Sequence, residues 1–226
     1  MTEAPAWHGK VTAAGDFVSR RMPEALLARC DAWLSGVMSS GQARHGDRWR
    51  QSYLTAPVLR FAWAPGVHGE AWWFGVLMPS CDSVGRYFPL LVIQQRDRPP
   101  RGREALEHLE RWFDHLADAA LHTLQEAASI AAFEQALQQA PPWPDSVAGA
   151  PTTALAGHWT FYAVPRQASL HESLGAPAAQ DFEHALAGQS IWLRAPEHQA
   201  PIVLCRCAGL PAAHDMVDLW AGVPPA

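Results

Sequence analysis

The chain has 226 residues, 49% of them hydrophobic, which is enough material to bury a sizeable core. Charged residues make up only 17% and tryptophan occurs 11 times, so its surface is expected to carry apolar and aromatic patches suited to a partner. A net charge of −5 argues against a nucleic-acid-binding face, and no apolar run approaches the roughly 18 residues of a membrane span or follows a basic signal-peptide lead, so a cytoplasmic protein is expected.

In chain order, Gly15-Asp16 reads as a turn before a helix, with Asp16 placed to accept hydrogen bonds from free N–H groups. From Pro23, apolar residues at Leu26, Leu27, Cys30, Trp33, Leu34 and Val37 step by three and four, which predicts an amphipathic helix with proline in its first turn. Leu54 to Ala64 and Ala71 to Met78 are rich in β-branched and aromatic residues and are separated by Pro65, Gly66 and Gly69. Two strands joined by a turn are predicted.

Pro79 to Arg86 has the composition of a loop, and Tyr87 to Gln94 is a near-continuous apolar strand, giving three strands in antiparallel succession. The Arg96, Arg98, Arg101 and Arg103 group is interrupted by Asp97, Pro99 and Pro100 and reads as a solvated connector. Leu106, Leu109, Phe113, Leu116, Ala120 and Leu124 then form the apolar stripe of a helix, and a second helix runs from about Ser129 to Gln139 until Pro141, Pro142 and Pro144 stop it.

Past a Pro/Gly-rich connector near 141–157, the pattern predicts strands at Trp159 to Val164, Ser190 to Arg194 and Ile202 to Cys207. Helices are predicted at Ala178 to Leu186 and at His214 to Ala221. The residues after the connector hold too little apolar material for a separate core, so one domain over 1–226 is expected. Its class is α/β or α+β, with a mixed, largely antiparallel central sheet flanked by helices on both faces.

Two segments carry candidate chemistry. Around Gly15 to Arg21, Asp16 serves either as a cap or, with Ser19 and Arg20, as a polar rim around an exposed Phe17 for docking. In the second, Ser80, Asp82 and Arg86 share a loop between strong strands, fitting either a binding loop or a turn in which Asp82 bonds the backbone, Gly85 takes positive φ and Arg86 pairs with a carboxylate.

A nucleophilic Ser80 or Cys81 served by one of eleven histidines, with His8, His68 and His158 near strands, defines a hydrolase or transferase alternative. No nucleophile-elbow, metalloprotease, phosphate-loop or dinucleotide motif accompanies it. The four cysteines, including the Cys205-x-Cys207 pair on one face of a strand, are expected to be free thiols; neither a metal site nor a cofactor is expected.

Trp7-His8-Gly9-Lys10, Gly15-Asp16-Phe17-Val18, Trp49 and Tyr53 to Phe61 stand in the order seen at the opening of the TagF family. The run Gly75-Val76-Leu77-Met78-Pro79-Ser80-Cys81-Asp82-Ser83-Val84-Gly85-Arg86-Tyr87-Phe88-Pro89-Leu90 resembles that family's signature, and Ser190-Ile191-Trp192 and Leu204 to Pro211 resemble its closing strands. The chain departs from it at Val11-Thr12-Ala13, where the family reads L-P-S, at Leu59-Arg60-Phe61 in place of W-R-F, and in a lengthened Cys205 to Gly209.

The resemblance implies an α/β sandwich and an accessory protein of type VI secretion, similar to members that repress the system after translation and engage its forkhead-associated scaffold protein. A structural baseplate subunit is the other non-enzymatic alternative. On this reading the partner-binding candidates are Gly15, Asp16, Phe17, Ser19, Arg20, Arg60, Ser80, Asp82, Gly85, Arg86, Tyr87 and Trp192.

Overall fold

The computed structural model describes residues 4–144, 153–156, 159–162, 181–194 and 203–222. Its strands are β1 (Ala6–Gly9), β2 (Val18–Arg20), β3 (Leu59–Trp63), β4 (Trp72–Met78), β5 (Leu90–Arg96), β6 (Thr153–Ala156), β7 (Trp159–Tyr162), β8 (Gln189–Arg194) and β9 (Val203–Ala208). Its helices are α1 (Glu24–His45), α2 (Arg48–Leu54), α3 (Arg103–His122), α4 (Ile130–Gln138), a helical turn at 181–185 (α5), and α6 (Ala213–Ala221).

Seven strands form one sheet in the order β2-β1-β5-β4-β3-β8-β9, and β6 pairs with β7 in a separate hairpin. Every pairing in the seven-stranded sheet is antiparallel. Because β8 pairs with β3, the chain on both sides of the 141–157 connector contributes to the same sheet.

Side chains alternate across a strand, and here both faces are covered. Leu59, Phe61 and Trp63 of β3, Trp73 and Leu77 of β4, and Leu91 and Ile93 of β5 pack under α1, α2 and α6, with Leu26, Cys30, Leu34, Tyr53 and Trp220 opposite them. On the other face, Trp7, Phe74, Val76, Leu90 and Val92 meet Trp112, Phe113 and Leu116 of α3 and Phe133 and Leu137 of α4. Burying one such large side chain contributes about 1.5–3 kcal/mol, which is why the continuous apolar runs of β4 and β5 dictate a sandwiched sheet.

The structure corrects several local expectations. Gly15-Asp16 precedes the short strand β2, not a helix; Asp16 Oδ1 accepts from the adjacent Phe17 N–H, at 2.8 Å, and α1 begins eight residues later at Glu24. Leu54 ends helix α2, whose Trp49 and Tyr53 lie one turn apart and are both buried, and β3 starts only at Leu59. Pro89 delays β5 to Leu90, while Tyr87 makes an isolated bridge with Cys81. The buried stripe of α3 falls on Ala105, Trp112, Phe113, Leu116, Ala119 and Ala120, leaving Leu106 and Leu124 exposed. The predicted helix start at Ala178, the strand end at Val164 and the strand start at Ile202 lie outside the described residues.

Candidate functional site

β4 delivers the chain into a loop, residues 79–89, that is organised around one carboxylate. Asp82 Oδ1 accepts from the backbone N–H of Val84 at 3.1 Å and of Arg86 at 2.8 Å, and Asp82 N–H donates to the Arg86 carbonyl. Gly85 closes the turn at φ 80°, a conformation glycine adopts without the Cβ penalty. The Asp82 side chain has no solvent exposure, and its Oδ2 accepts from Arg86 Nε at 2.7 Å and from Lys10 Nζ at 2.6 Å.

Lys10 brings in a second loop, residues 10–17, which leaves β1 beside β5. Ser80 Oγ donates to the Lys10 carbonyl at 2.7 Å, Ser83 N–H donates to the Ala14 carbonyl at 2.9 Å, and Arg86 Nη2 donates to the Gly15 carbonyl. Arg86 also lies 3.8 Å from the Asp16 carboxylate. The two loops are thus joined along their length, with a buried cation and a buried anion at the seam. Burial raises the Asp82 carboxyl's pKa, but the bonds from Lys10, the Arg86 backbone and side chain, and Val84 overcome it and hold the group well below the usual carboxylate range.

Tyr53 of α2 fixes the base of the loop. Its hydroxyl donates to the Ser80 carbonyl at 3.0 Å and accepts from the Ser80 N–H at 2.8 Å. Burial pushes this phenol far above its ordinary range, outweighing the lowering by the bond from the Ser80 N–H, so it stays protonated. Above it, Tyr87 packs on Tyr53 and carries the Arg50 guanidinium over its ring at 5.2 Å.

The residues expected to bind a partner separate into three groups. Gly15, Asp16, Phe17 and Arg20, with Gly85 and Arg86, are exposed at the joined loops; Ser19 and Tyr87 are half-buried beside them. Ser80 and Asp82 are buried beneath the rim, 1% and 2% exposed, so their bonds fix the loops and a partner cannot reach them. Arg60 and Trp192 lie elsewhere: Arg60 pairs with Asp114 of α3, and Trp192 is buried in the core with its indole N–H on Ser190 Oγ at 2.9 Å.

Ser80 Oγ is occupied as a donor to the Lys10 carbonyl, and the Cys81 thiol is raised by burial and by the Asp82 charge next to it, the reverse of an activated nucleophile. His8 pairs with Asp31 at 3.2 Å and His68 packs on Trp73, while His158 lies outside the described residues. Among the described residues no group of three or more His, Cys, Asp or Glu is arranged to hold a metal ion, and no helix is long and apolar enough to cross a membrane.

Lys10 and Tyr53 complete the site without standing among the sequence candidates, and His8, read from the sequence only as a candidate base for Ser80 or Cys81, pairs instead with Asp31. One signal was available for Lys10: it is the only lysine in the chain, the other sixteen basic residues being arginines. Nothing local marks Tyr53, whose partner lies 27 residues away.

Residues 6–140, which contain both loops and Tyr53, match the TagF N-terminal domain, described as type VI secretion system-associated. The chain belongs to this family. The crystal structure of PA0076 from Pseudomonas aeruginosa PAO1 is similar over 99% of this chain and 96% of that one, with 32% identity and a TM-score of 0.78. No curated protein matches the chain. The TagF N-terminal match thus makes this a type VI secretion-associated protein, and the joined loops are part of the matched domain.

Proposed function

We propose that the protein represses type VI secretion after translation, in the cytoplasm, by docking the rim of its two joined loops onto the forkhead-associated scaffold protein of the regulatory pathway. The observation that supports this reading is the exposure of Asp16, Phe17, Arg20, Val84 and Arg86 on a base fixed by the buried Lys10–Asp82 pair. A rim held rigid before binding loses little conformational freedom on docking, and an exposed aromatic residue among charged ones has the make-up of an interface anchor. Proposed as a non-enzyme, it gains support from the commitment of Ser80 to the backbone and the raised Cys81 thiol.

Calorimetric titration against the scaffold from the same secretion cluster, phosphorylated and unphosphorylated, tests the proposal. Micromolar or tighter binding, about −8 kcal/mol, that is lost when Asp16 and Phe17 are replaced is the expected result. Absence of heat with both forms of the scaffold removes that partner.

A further inference from the structure

Phe17, the exposed aromatic residue of the rim, is seated on a buried histidine. Its ring stacks on His8, with centroids 5.7 Å apart and planes inclined by 14°, and meets Phe88 edge-on at 4.8 Å. His8 itself is 5% exposed, on the face of β1 that looks toward α1, and its Nε2 lies 3.2 Å from Asp31 Oδ1. Its Nδ1 is buried and, among the described residues, has no hydrogen-bond partner.

From this arrangement we infer that His8 is a proton switch for the rim: when its imidazole takes up a proton, Phe17 leaves its seat. In the neutral ring, Nε2–H donates to Asp31 and Nδ1 is a lone pair facing no donor, which a protein tolerates at small cost. Protonation turns Nδ1 into a buried N–H with no acceptor, the more costly case. Water must then reach it. Of the two aromatic rings packed on His8, Phe88 is buried at 6% and Phe17 is 45% exposed, so Phe17 is the cover that can open.

The charged groups around the ring set the balance. Asp31 on α1 favours the imidazolium, but its side chain is 48% exposed and its pull is screened by water. Lys10, two residues on and just past the end of β1, opposes it, its charge partly offset by Asp82; its ammonium already lies 4.8 Å from the Phe17 ring centroid. A protonated His8 in the present stack puts a second cation on the same ring, so the cation–π attraction gained there is offset by repulsion from Lys10. Ser19 and Leu91, which face His8 in the β2 and β5 registers, carry no charge.

That opening of Phe17 alters scaffold affinity rests on the docking reading above; the switch itself does not. The test is an NMR titration of the full chain from about pH 8 to about pH 5, the range in which histidines ordinarily change charge, reading the His8 ring and the Phe17 signals. Phe17 is expected to shift with the same midpoint as His8. In Asp31→Asn both midpoints should move together to lower pH, and in His8→Gln, whose amide can keep the bond to Asp31, the Phe17 shift should vanish. A His8 that does not titrate, Phe17 signals that stay still while it does, midpoints that part in Asp31→Asn, or a Phe17 shift that persists in His8→Gln would each overturn the switch, whatever the scaffold titration gives.

Discussion

Lys10 Nζ lies 2.6 Å from Asp82 Oδ2, with the two side chains 5% and 0% exposed, and this pair joins segments 72 residues apart. Its members are not equivalent. Asp82 has four donors, from Lys10, Val84 and both the backbone and side chain of Arg86, whereas among the described residues the Lys10 ammonium meets, besides Asp82, the ring of Phe17. Removing the carboxylate therefore strands a buried cation and unties the loop turn, while removing the ammonium leaves the anion partly satisfied. Asp82→Ala should lower the urea midpoint well beyond Lys10→Met, and the double variant should fall short of the sum of the two. Equal, additive losses would show that the pair is not coupled.

Because Lys10 is the only lysine, its burial has a direct chemical readout. An amine-reactive ester should leave Lys10 unmodified in the folded protein and acylate it once the chain is unfolded in denaturant, as read by peptide mass spectrometry. Rapid labelling of the native protein at Lys10 would mean the seam opens in solution.

The Tyr53 hydroxyl serves both polar groups of the Ser80 backbone; in Tyr53→Phe the Ser80 carbonyl keeps its bond from the Phe88 N–H at 3.1 Å, but the Ser80 N–H loses its acceptor. A buried N–H left without a partner costs about 1–3 kcal/mol, so the variant should lose roughly that much stability in denaturant unfolding while keeping its far-UV circular dichroism. Ser80→Ala should cost about 1 kcal/mol through its bond to the Lys10 carbonyl. A stability loss of that size from Ser80→Ala, with scaffold binding intact, is what a structural serine predicts.

Gly75 sits in the centre of the sheet, where an added Cβ would meet the Val92 carbonyl oxygen at 2.0 Å and the Phe61 ring at 2.8 Å. The first contact is backbone and cannot rotate away. Gly75→Ala should destabilise by about 1–3 kcal/mol or more, visible as a lower thermal midpoint. A variant as stable as the parent would place β5 farther from β4 than it lies here.

Acid should loosen the joined loops in a defined direction. The Asp82 carboxyl is held below its ordinary value in the fold, and so is that of Glu134, where burial acts to raise it but the bonds from Arg21 and Trp7 outweigh it. Groups with depressed pKa stabilise the fold above their unfolded pKa values, about 4, and lose that contribution as pH falls toward the folded ones. Denaturant midpoints should therefore drop below about pH 4, and Asp82→Asn, though less stable at neutral pH, should show a shallower drop.

Much of the fold follows from local pattern. The stepping of apolar residues from Leu26 to Val37 and along α3 can be satisfied only by a helix with one buried side, and the apolar runs of β4 and β5 only by strands covered on both faces. The turn around Asp82 was legible too, because the bonds that close it, from Val84 and Arg86 to the Asp82 carboxylate, run within five residues.

Other features were decided by tertiary contacts. β1 and β2 are only four and three residues long and exist because β5 offers β1 an edge to pair with, which no short window of sequence contains. The same holds for the site. The sequence by itself determined a loop able to pin its own turn, but in it Gly15-Asp16 reads as a turn before a helix where a short strand follows. Only the packing of β1 on β5 set Lys10 against Asp82, buried Ser80 and left Phe17 at the surface above His8, because long-range pairing assigns side chains to a face irrespective of their own polarity.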